Sequence, residues 1–151
     1  MPSNQTKSFF QAAEVRRITG VTQRELDYWD VKGVVRASVS RARGKGVERK
    51  YSYTDLLKLR VVKELRNTGL SLQKIRKAIA LLGQRQLGDD MLAKEILITD
   101  GVRLHRLTSD PAVLEDLLSA GQLSFSVLIV SNLERRIRRS ITLSGRERAA
   151  V

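Results

Sequence analysis

The sequence predicts an α+β protein made of two modules, a helical N-terminal module with a basic β-hairpin and a small module of order β-β-α-β-α. Helix-capping patterns at Thr22 and Ser52, with the strongly basic segment 32–50 between them, predict the first module. An Asp100-Gly101 pair between two β-rich runs predicts the second module.

The composition excludes several classes of protein. The 151 residues include no cysteine and one histidine, His105, which excludes disulfides, thiolate metal sites and His-rich metal sites. No apolar run reaches the roughly 18 residues of a membrane span, and the first ten residues lack a signal-peptide pattern. We find no nucleophile–base constellation and no Gly-rich phosphate loop. We therefore expect a cytoplasmic protein that is not an enzyme and needs no cofactor or metal.

The positive charge is concentrated in the first half of the chain. Lys and Arg total 28 against 16 Asp and Glu, a net charge of +12. Residues 1–82 hold 18 basic and 7 acidic side chains, net +11, whereas residues 83–151 hold 10 and 9, net +1. This asymmetry favours a surface that binds a polyanion such as nucleic acid, although charge alone also fits a well-solvated protein without such a partner.

The N-terminal module opens with two predicted helices joined by a tight turn. Apolar residues spaced along 9–18 can line one face of a first helix, and Gly20 can end it in a left-handed conformation. Thr22 with Glu25 forms a capping box that opens a second helix, which stops by Gly33. Two helices joined in this way form a minimal helix-turn-helix.

A basic β-hairpin is predicted next, over residues 34–51, and we call it the wing. Val34 and Val35 start an extended stretch, the Gly-containing tip is SRARGKG at 40–46, and a return strand follows at 47–51. Segment 32–50 contains seven basic side chains and one acidic one. Because burying unpaired charge is costly, we expect the wing to project into solvent or against phosphates.

Two amphipathic helices complete the first module. Ser52 with Asp55 caps the first of them, and Gly69 ends it. Ser71 caps the second, whose apolar pattern stops near Gly83. The module therefore covers residues 8–83, and the polar stretch GQRQLGDD that begins at Gly83 is predicted to be a linker.

The second module covers residues 84–144. Its predicted elements are, in order, a strand at 95–99, a strand at 102–107, a helix from Ser109, a strand at 122–130 and a helix opened by Ser131 with Glu134. Between the first two strands we predict a tight turn with positive φ at both Asp100 and Gly101. Residues 145–151 have little to bury and are predicted to fray.

A unit of about 55 residues has a marginal core, so we predict that this second module buries surface against another copy and dimerises the protein. Four arginines at 135–139 could add a DNA clamp, but the sequence favours a solvated helix face for them.

Several separated segments of the first module resemble the MerR family of bacterial transcriptional regulators, and in particular an actinobacterial-type subgroup. The matching segments are Gly20-Val21-Thr22 with Leu26-Asp27-Tyr28-Trp29, Gly33-Val34-Val35, Arg49-Lys50-Tyr51-Ser52 with Asp55-Leu56, and Thr68-Gly69-Leu70-Ser71-Leu72 with Ile75. The resemblance covers residues 8–83. It implies a winged helix-turn-helix domain that binds a pseudo-palindromic promoter site as a dimer.

The resemblance also implies which residues contact DNA. Thr22, Gln23 and Arg24 would start the recognition helix in the major groove, where Gln and Arg can reach adenine and guanine edges. Tyr28 matches a position that contacts phosphate, and the cations of the wing tip would reach the minor groove or phosphates. The complete predicted set is Thr22, Gln23, Arg24, Tyr28, Arg36, Arg41, Arg43, Lys45, Arg49 and Tyr51. Trp29 is predicted to be a core residue.

Two departures from the family pattern matter. Asp27 stands where many members have Arg, which removes one expected phosphate contact, and its carboxylate could instead orient Arg24 or an arginine of the wing. Residues 83–93 are too short and too Gly-rich for the long dimerisation helix of typical members. Metal sensing is therefore not implied.

We predict a dimeric, sequence-specific regulator that binds double-stranded DNA in the nucleoid, with a second copy and RNA polymerase as protein partners and no membrane. The alternatives are a non-specific or architectural DNA-binding protein of the excisionase type and an adaptor whose second module senses a ligand. The ratio of specific to random-duplex affinity separates the first two.

Overall fold

Helices and two small antiparallel sheets make up the computed structural model, which describes residues 9–41, 48–84, 96–106 and 126–150. The elements are β1 Phe10–Gln11, α1 Ala12–Thr19, α2 Gln23–Val31, β2 Lys50–Tyr51, α3 Tyr53–Asn67, α4 Leu72–Gln84, β3 Ile96–Thr99, β4 Leu104–Arg106, β5 Ser126–Ile129 and α5 Val130–Ala150. The chain forms two compact units: one holds the residues up to Arg60 and from Arg135 onward, and the other is Val61–Glu134. This mixed content confirms the α+β class.

A short strand precedes the first helix in the first unit. β1 pairs antiparallel with β2, with Phe10 opposite Tyr51 and Gln11 opposite Lys50. The sequence predicted a helix along 9–18, and the helix in fact starts at Ala12. Apolar spacing did not show the strand, because Phe10 is buried by pairing with a residue 41 positions away.

The turn between α1 and α2 is fixed by hydrogen bonds. Gly20 has φ 77°, as predicted, and its N–H donates to the Arg16 carbonyl at 2.9 Å. The Thr19 hydroxyl accepts the Val21 N–H at 3.2 Å, and the Arg60 guanidinium donates to the Thr19 carbonyl at 2.7 Å. A side chain of α3 thus satisfies an orphan carbonyl at the end of α1.

Only the base of the wing is described. Ser40 and Lys50 form an isolated antiparallel bridge, with the Lys50 N–H 2.8 Å from the Ser40 carbonyl. Val34 and Val35 are buried, but they form no strand, contrary to the prediction. The return strand is Lys50–Tyr51, and it pairs with β1 on the other side. The tip, including Arg43 and Lys45, lies outside the described residues.

A buried carboxylate joins the wing to α3. Asp55 is 2% exposed, and its Oδ2 accepts the Ser38 N–H at 2.8 Å, the Ser38 hydroxyl at 2.6 Å and the Ser52 N–H at 2.9 Å. The Ser52 hydroxyl accepts the Asp55 N–H at 3.1 Å, which confirms the predicted capping pattern.

In the second unit, α4 follows a turn in which Gly69 has φ 95°. The Ser71 hydroxyl accepts the Lys74 N–H at 3.2 Å, so the predicted cap is present. The helix continues through Gly83 to Gln84 and therefore includes the first two residues of the predicted linker. Linker residues 85–90 lie outside the described part of the chain.

The second unit also contains a three-stranded sheet of order β4-β3-β5. The predicted hairpin is present, but Thr99 pairs with Leu104, so its loop has four residues rather than two. The Asp100 carboxylate accepts the N–H groups of Val102 and Arg103 at 2.8 and 2.6 Å. This side-chain turn replaces the predicted two-residue turn.

The hairpin loop contacts the α3–α4 region of the same unit. Gly101 has φ 91°, and a Cβ at this position would lie 2.8 Å from the Thr68 carbonyl oxygen. The Lys74 ammonium donates to the Val102 carbonyl. The loop conformation therefore requires glycine at position 101.

β5 leads directly into α5. The helix starts at Val130, so Ser131 lies inside its first turn instead of capping it. It continues to Ala150, and residues 145–150, predicted to fray, are helical because Arg, Glu and Ala are good helix formers. The helix predicted from Ser109 falls outside the described residues. Among the described helices, none has the length and apolar content to cross a membrane.

Candidate nucleic-acid interface

The outward face of α2 is the centre of the candidate interface. Leu26 and Trp29 are 1% and 3% exposed, which fixes the rotation of the helix about its axis. The burial of Trp29 confirms its predicted place in the core. The exposed side chains of this face are Thr22, Gln23, Arg24, Asp27, Tyr28 and Val31.

The first turn of α2 is held by the predicted capping box. The Thr22 hydroxyl accepts the Glu25 N–H at 3.1 Å, and the Glu25 carboxylate accepts the Thr22 N–H at 3.0 Å. The same carboxylate also accepts the Thr22 hydroxyl proton at 3.1 Å. The Thr22 side chain therefore holds the start of α2 in place, directly before Gln23 and Arg24.

Asp27 connects the recognition helix to the wing. Its Oδ1 accepts the Arg49 Nη1 at 2.8 Å and the Gln23 Nε2 at 3.0 Å. Asp27 is 52% exposed and Arg49 20% exposed. Of the two partners that the sequence left open for Asp27, Arg24 and a wing arginine, the structure shows the wing arginine.

Arg49 is held in its charged form. Partial burial by itself would lower the pKa of Arg49, but the hydrogen bond to Asp27 and the proximity of Tyr51 raise it above its ordinary value. The guanidinium therefore keeps its charge throughout the physiological pH range, and the carboxylate of Asp27 neutralises it locally.

Tyr51 lies in the core instead of on the surface. It is fully buried opposite Phe10, and its hydroxyl has no hydrogen-bond partner among the described residues. Burial raises the pKa of Tyr51, and the nearby Arg49 only partly opposes this effect. The predicted contact between Tyr51 and DNA is not available in this arrangement, because strand pairing turns the side chain inward.

Arg24 is the exposed cation at the start of the recognition helix. Within the described part of the chain, its guanidinium has no hydrogen bond and no ion pair. One turn further along, Tyr28 is 51% exposed, and the Lys32 ammonium lies 5.6 Å from the centre of its ring. Both side chains can reach a ligand without breaking an existing contact with a carboxylate.

The remaining cations of the interface differ in whether their side chains already contact other residues. Arg36 is exposed, but its Nε donates to the Asp30 carbonyl near the end of α2 at 3.2 Å. Arg41 is exposed, and it makes no hydrogen bond or ion pair with another described residue. Lys50 was not among the predicted DNA contacts. Its ammonium lies 4.6 Å from the centre of the Phe9 ring, and this contact depends on the β1–β2 pairing.

A cavity of about 340 Å³ separates the start of α1 from the start of α2. Its lining residues are Gln11, Ala12, Ala13, Gln23, Asp27, Glu48 and Arg49. Two carboxylates, Asp27 and Glu48, and one guanidinium, Arg49, line it, so it presents no uniform charge. In the part of the chain that the structure describes, His, Cys, Asp and Glu form no group of three or more that could hold a metal ion.

Comparisons with known proteins agree with this geometry. Residues 10–82 match the family described as MerR HTH family regulatory protein. Proteins named as HTH-type transcriptional regulators in Mycobacterium bovis and in two strains of Mycobacterium tuberculosis are 42% identical to this chain over 113 residues. The alignment covers 75% of this chain and 49% of each relative, so the chain spans about half the length of the curated relatives that it matches.

The alignment with these relatives also extends into the second half of the chain. It is 40 residues longer than the 73-residue family match, and only nine residues precede residue 10. At least part of the chain beyond residue 82 is therefore shared with the mycobacterial proteins.

Proposed function

The chain belongs, through residues 10–82, to the MerR family of helix-turn-helix regulatory proteins, and on this premise we propose that it is a sequence-specific transcriptional regulator of double-stranded DNA. The observation that carries the proposal is the first turn of α2. Its capping box and buried face fix the helix, and Arg24 remains exposed and unpaired among the described residues. An arginine held in this way can donate two hydrogen bonds to a guanine in the major groove.

We assign different roles to the surrounding residues. Thr22 positions the start of α2, while Gln23 and Arg24 read base edges. Tyr28, Arg36 and Arg41 contact the DNA backbone, together with Arg43 and Lys45 of the wing tip. Each cation that neutralises a phosphate makes binding more sensitive to salt, by about 0.9 in the slope of log affinity against log salt.

The proposal includes a dimer bound to a pseudo-palindromic site. A monomer presents one α2, and an inverted repeat needs two such helices about 34 Å apart on one face of the duplex. We assign the contact with a second copy to the second unit, which contains the small three-stranded sheet. In this setting the protein acts on promoter DNA in the nucleoid, beside RNA polymerase.

Selection of bound sequences from a random duplex library, with the complete chain, tests this function. We expect an enriched inverted repeat that binds at least about 10³-fold more tightly than random duplex at the same salt concentration. Equal binding to every duplex would overturn sequence specificity and favour an architectural protein. The mass of the complex on the selected duplex tests the dimer, and one copy per site would contradict it.

A further inference from the structure

We propose that Asp27 determines the specificity of this interface by withholding Arg49 from phosphates and by fixing the orientation of the Gln23 amide. Asp27 is therefore a positioning residue that keeps affinity for random DNA low. This inference rests on the proposed function, because it concerns how the same surface distinguishes its site from other duplexes.

Asp27 neutralises the charge of Arg49. Its guanidinium lies 2.8 Å from the Asp27 Oδ1 and is only 20% exposed, so a phosphate that approaches it also meets the carboxylate. Arg49 stands 22 positions from Asp27 in a strongly basic stretch, and the other cations of that stretch that the structure describes, Lys32, Arg36, Arg41 and Lys50, have no such carboxylate partner. The pair behaves as a neutral group toward the DNA backbone, which removes one sequence-independent contact.

Asp27 also orients the Gln23 amide. A carboxylate can only accept hydrogen bonds, so the Nε2 end of Gln23 must face Asp27, as the 3.0 Å contact shows. The Oε1 end is therefore kept available as an acceptor, together with the second N–H of the amide. This acceptor and donor pair matches the major-groove edge of adenine. Without Asp27, the amide could turn over and would lose this preference.

Both effects favour the specific site over random DNA, and they come from a single oxygen atom. Loss of Asp27 should release one cation to every duplex and should free the Gln23 amide to rotate. Affinity for random duplex then rises more than affinity for the selected site. The predicted signature is thus tighter but less discriminating binding.

The test compares Asp27→Ala with a matched control, Asp30→Ala. Asp30 lies on the same helix and acts electrostatically on Arg49, but it makes no side-chain hydrogen bond to that residue in the described structure. Binding of the complete chain to the selected duplex and to a random duplex of equal length is measured between about 50 and 200 mM salt. Circular dichroism and the unfolding midpoint of each variant establish that it is folded.

For Asp27→Ala we expect about tenfold tighter binding to random duplex at 50 mM salt and a slope steeper by about 0.9, whereas Asp30→Ala leaves the slope unchanged. Adding Arg49→Ala to Asp27→Ala should restore the wild-type slope. In the selected site, discrimination should fall at the base pair that Gln23→Ala also affects, and it should remain at the base pair affected by Arg24→Ala. Asp27→Asn, which keeps the side-chain shape, serves as a second variant if the alanine variant does not fold.

Two results would overturn the proposal: an unchanged salt slope in a folded Asp27→Ala variant, or a steeper slope that persists when Arg49 is also removed. These outcomes differ from a failure of the proposed function, in which the wild-type chain itself fails to prefer any duplex sequence.

Discussion

Ser38 and Asp55 are joined by two hydrogen bonds, from the backbone N–H and from the hydroxyl of Ser38 to the same carboxylate oxygen, at 2.8 and 2.6 Å. That oxygen also accepts the Ser52 N–H. Ser38 lies just before the bridge at Ser40, and Ser52 directly follows β2. One buried carboxylate therefore holds both ends of the wing.

Replacing Asp55 with Ala should destabilise the protein by about 3 kcal/mol, because three donors lose a charged acceptor in a buried place. Urea unfolding followed by circular dichroism measures this loss. Ser38→Ala removes one of the three donors and should cost about 1 kcal/mol. A similar loss in the two variants would show that the carboxylate does not organise the wing.

The Tyr51→Phe variant should be as stable as the wild type, or more stable by up to about 1 kcal/mol, because the buried hydroxyl has no hydrogen-bond partner among the described residues. Its DNA affinity should be unchanged, since the hydroxyl does not reach the surface. Weaker DNA binding by a stable Tyr51→Phe protein would show that Tyr51 does contact DNA, as the resemblance implied.

The same tyrosine predicts a dependence of stability on alkaline pH. Burial raises the pKa of Tyr51, so the folded state holds the phenol proton more tightly than the unfolded chain, whose ordinary value is 10.0. The protonated phenol of Tyr51 therefore contributes to the free energy of unfolding. This contribution is fully present below pH 10 and is lost as the pH rises through the folded pKa of Tyr51. Urea titrations between about pH 8 and pH 11 should show a smaller decline for Tyr51→Phe than for the wild type. An equal decline of stability in Tyr51→Phe and in the wild type would contradict the raised pKa of Tyr51.

Gly69, in the turn between α3 and α4, is a matched control for Gly101, in the loop between β3 and β4. Both have positive φ, at 91° and 95°, but an added Cβ meets the Thr68 carbonyl oxygen at 2.8 Å only at position 101, and nothing within 4 Å at position 69. Gly69→Ala should cost about 1 kcal/mol for the backbone conformation, and Gly101→Ala about 3 kcal/mol because a clash is added. Thermal unfolding separates the two, and equal costs would exclude the predicted clash.

Arg24 and Arg43 should respond differently in DNA binding. Arg24→Ala should reduce discrimination at one base pair of the selected site by about 1–3 kcal/mol, whereas Arg43→Ala should weaken binding to all duplexes alike and lower the salt slope by about 0.9. Binding to a panel of single-base variants at several salt concentrations measures both effects. If both substitutions reduce affinity without changing base preference, Arg24 does not read a base.

Local interactions were predictable from the sequence. The caps at Thr22, Ser52 and Ser71 connect residues only three positions apart, and all three are present in the structure. Gly20 and Gly69 also end their helices as predicted, because a left-handed residue is a local requirement. The helix boundaries at these five positions therefore depended little on the tertiary fold, unlike the start of α1.

Long-range pairing was not predictable in the same way. β1 has two residues, too few for an alternating pattern, and its partner is 41 positions away, so Phe10 was placed in a helix and Tyr51 on the DNA-binding surface. Charge alone predicted that Asp27 pairs with an arginine. Which arginine it pairs with depended on the position of β2, because Arg49 directly precedes that strand. The hairpin at Asp100 was located correctly, although its loop length depended on the hydrogen bonds of the carboxylate.

The cavity beside α2 has a practical consequence for experiments in solution. Gln11 is exposed, forms no side-chain cap on α1 and shares the cavity with Gln23 and Arg49. Because the chain contains no cysteine, Gln11→Cys would create a unique attachment point for a thiol-reactive fluorophore. A dye at that position would report the arrival of a duplex in real time, with no background labelling elsewhere in the molecule.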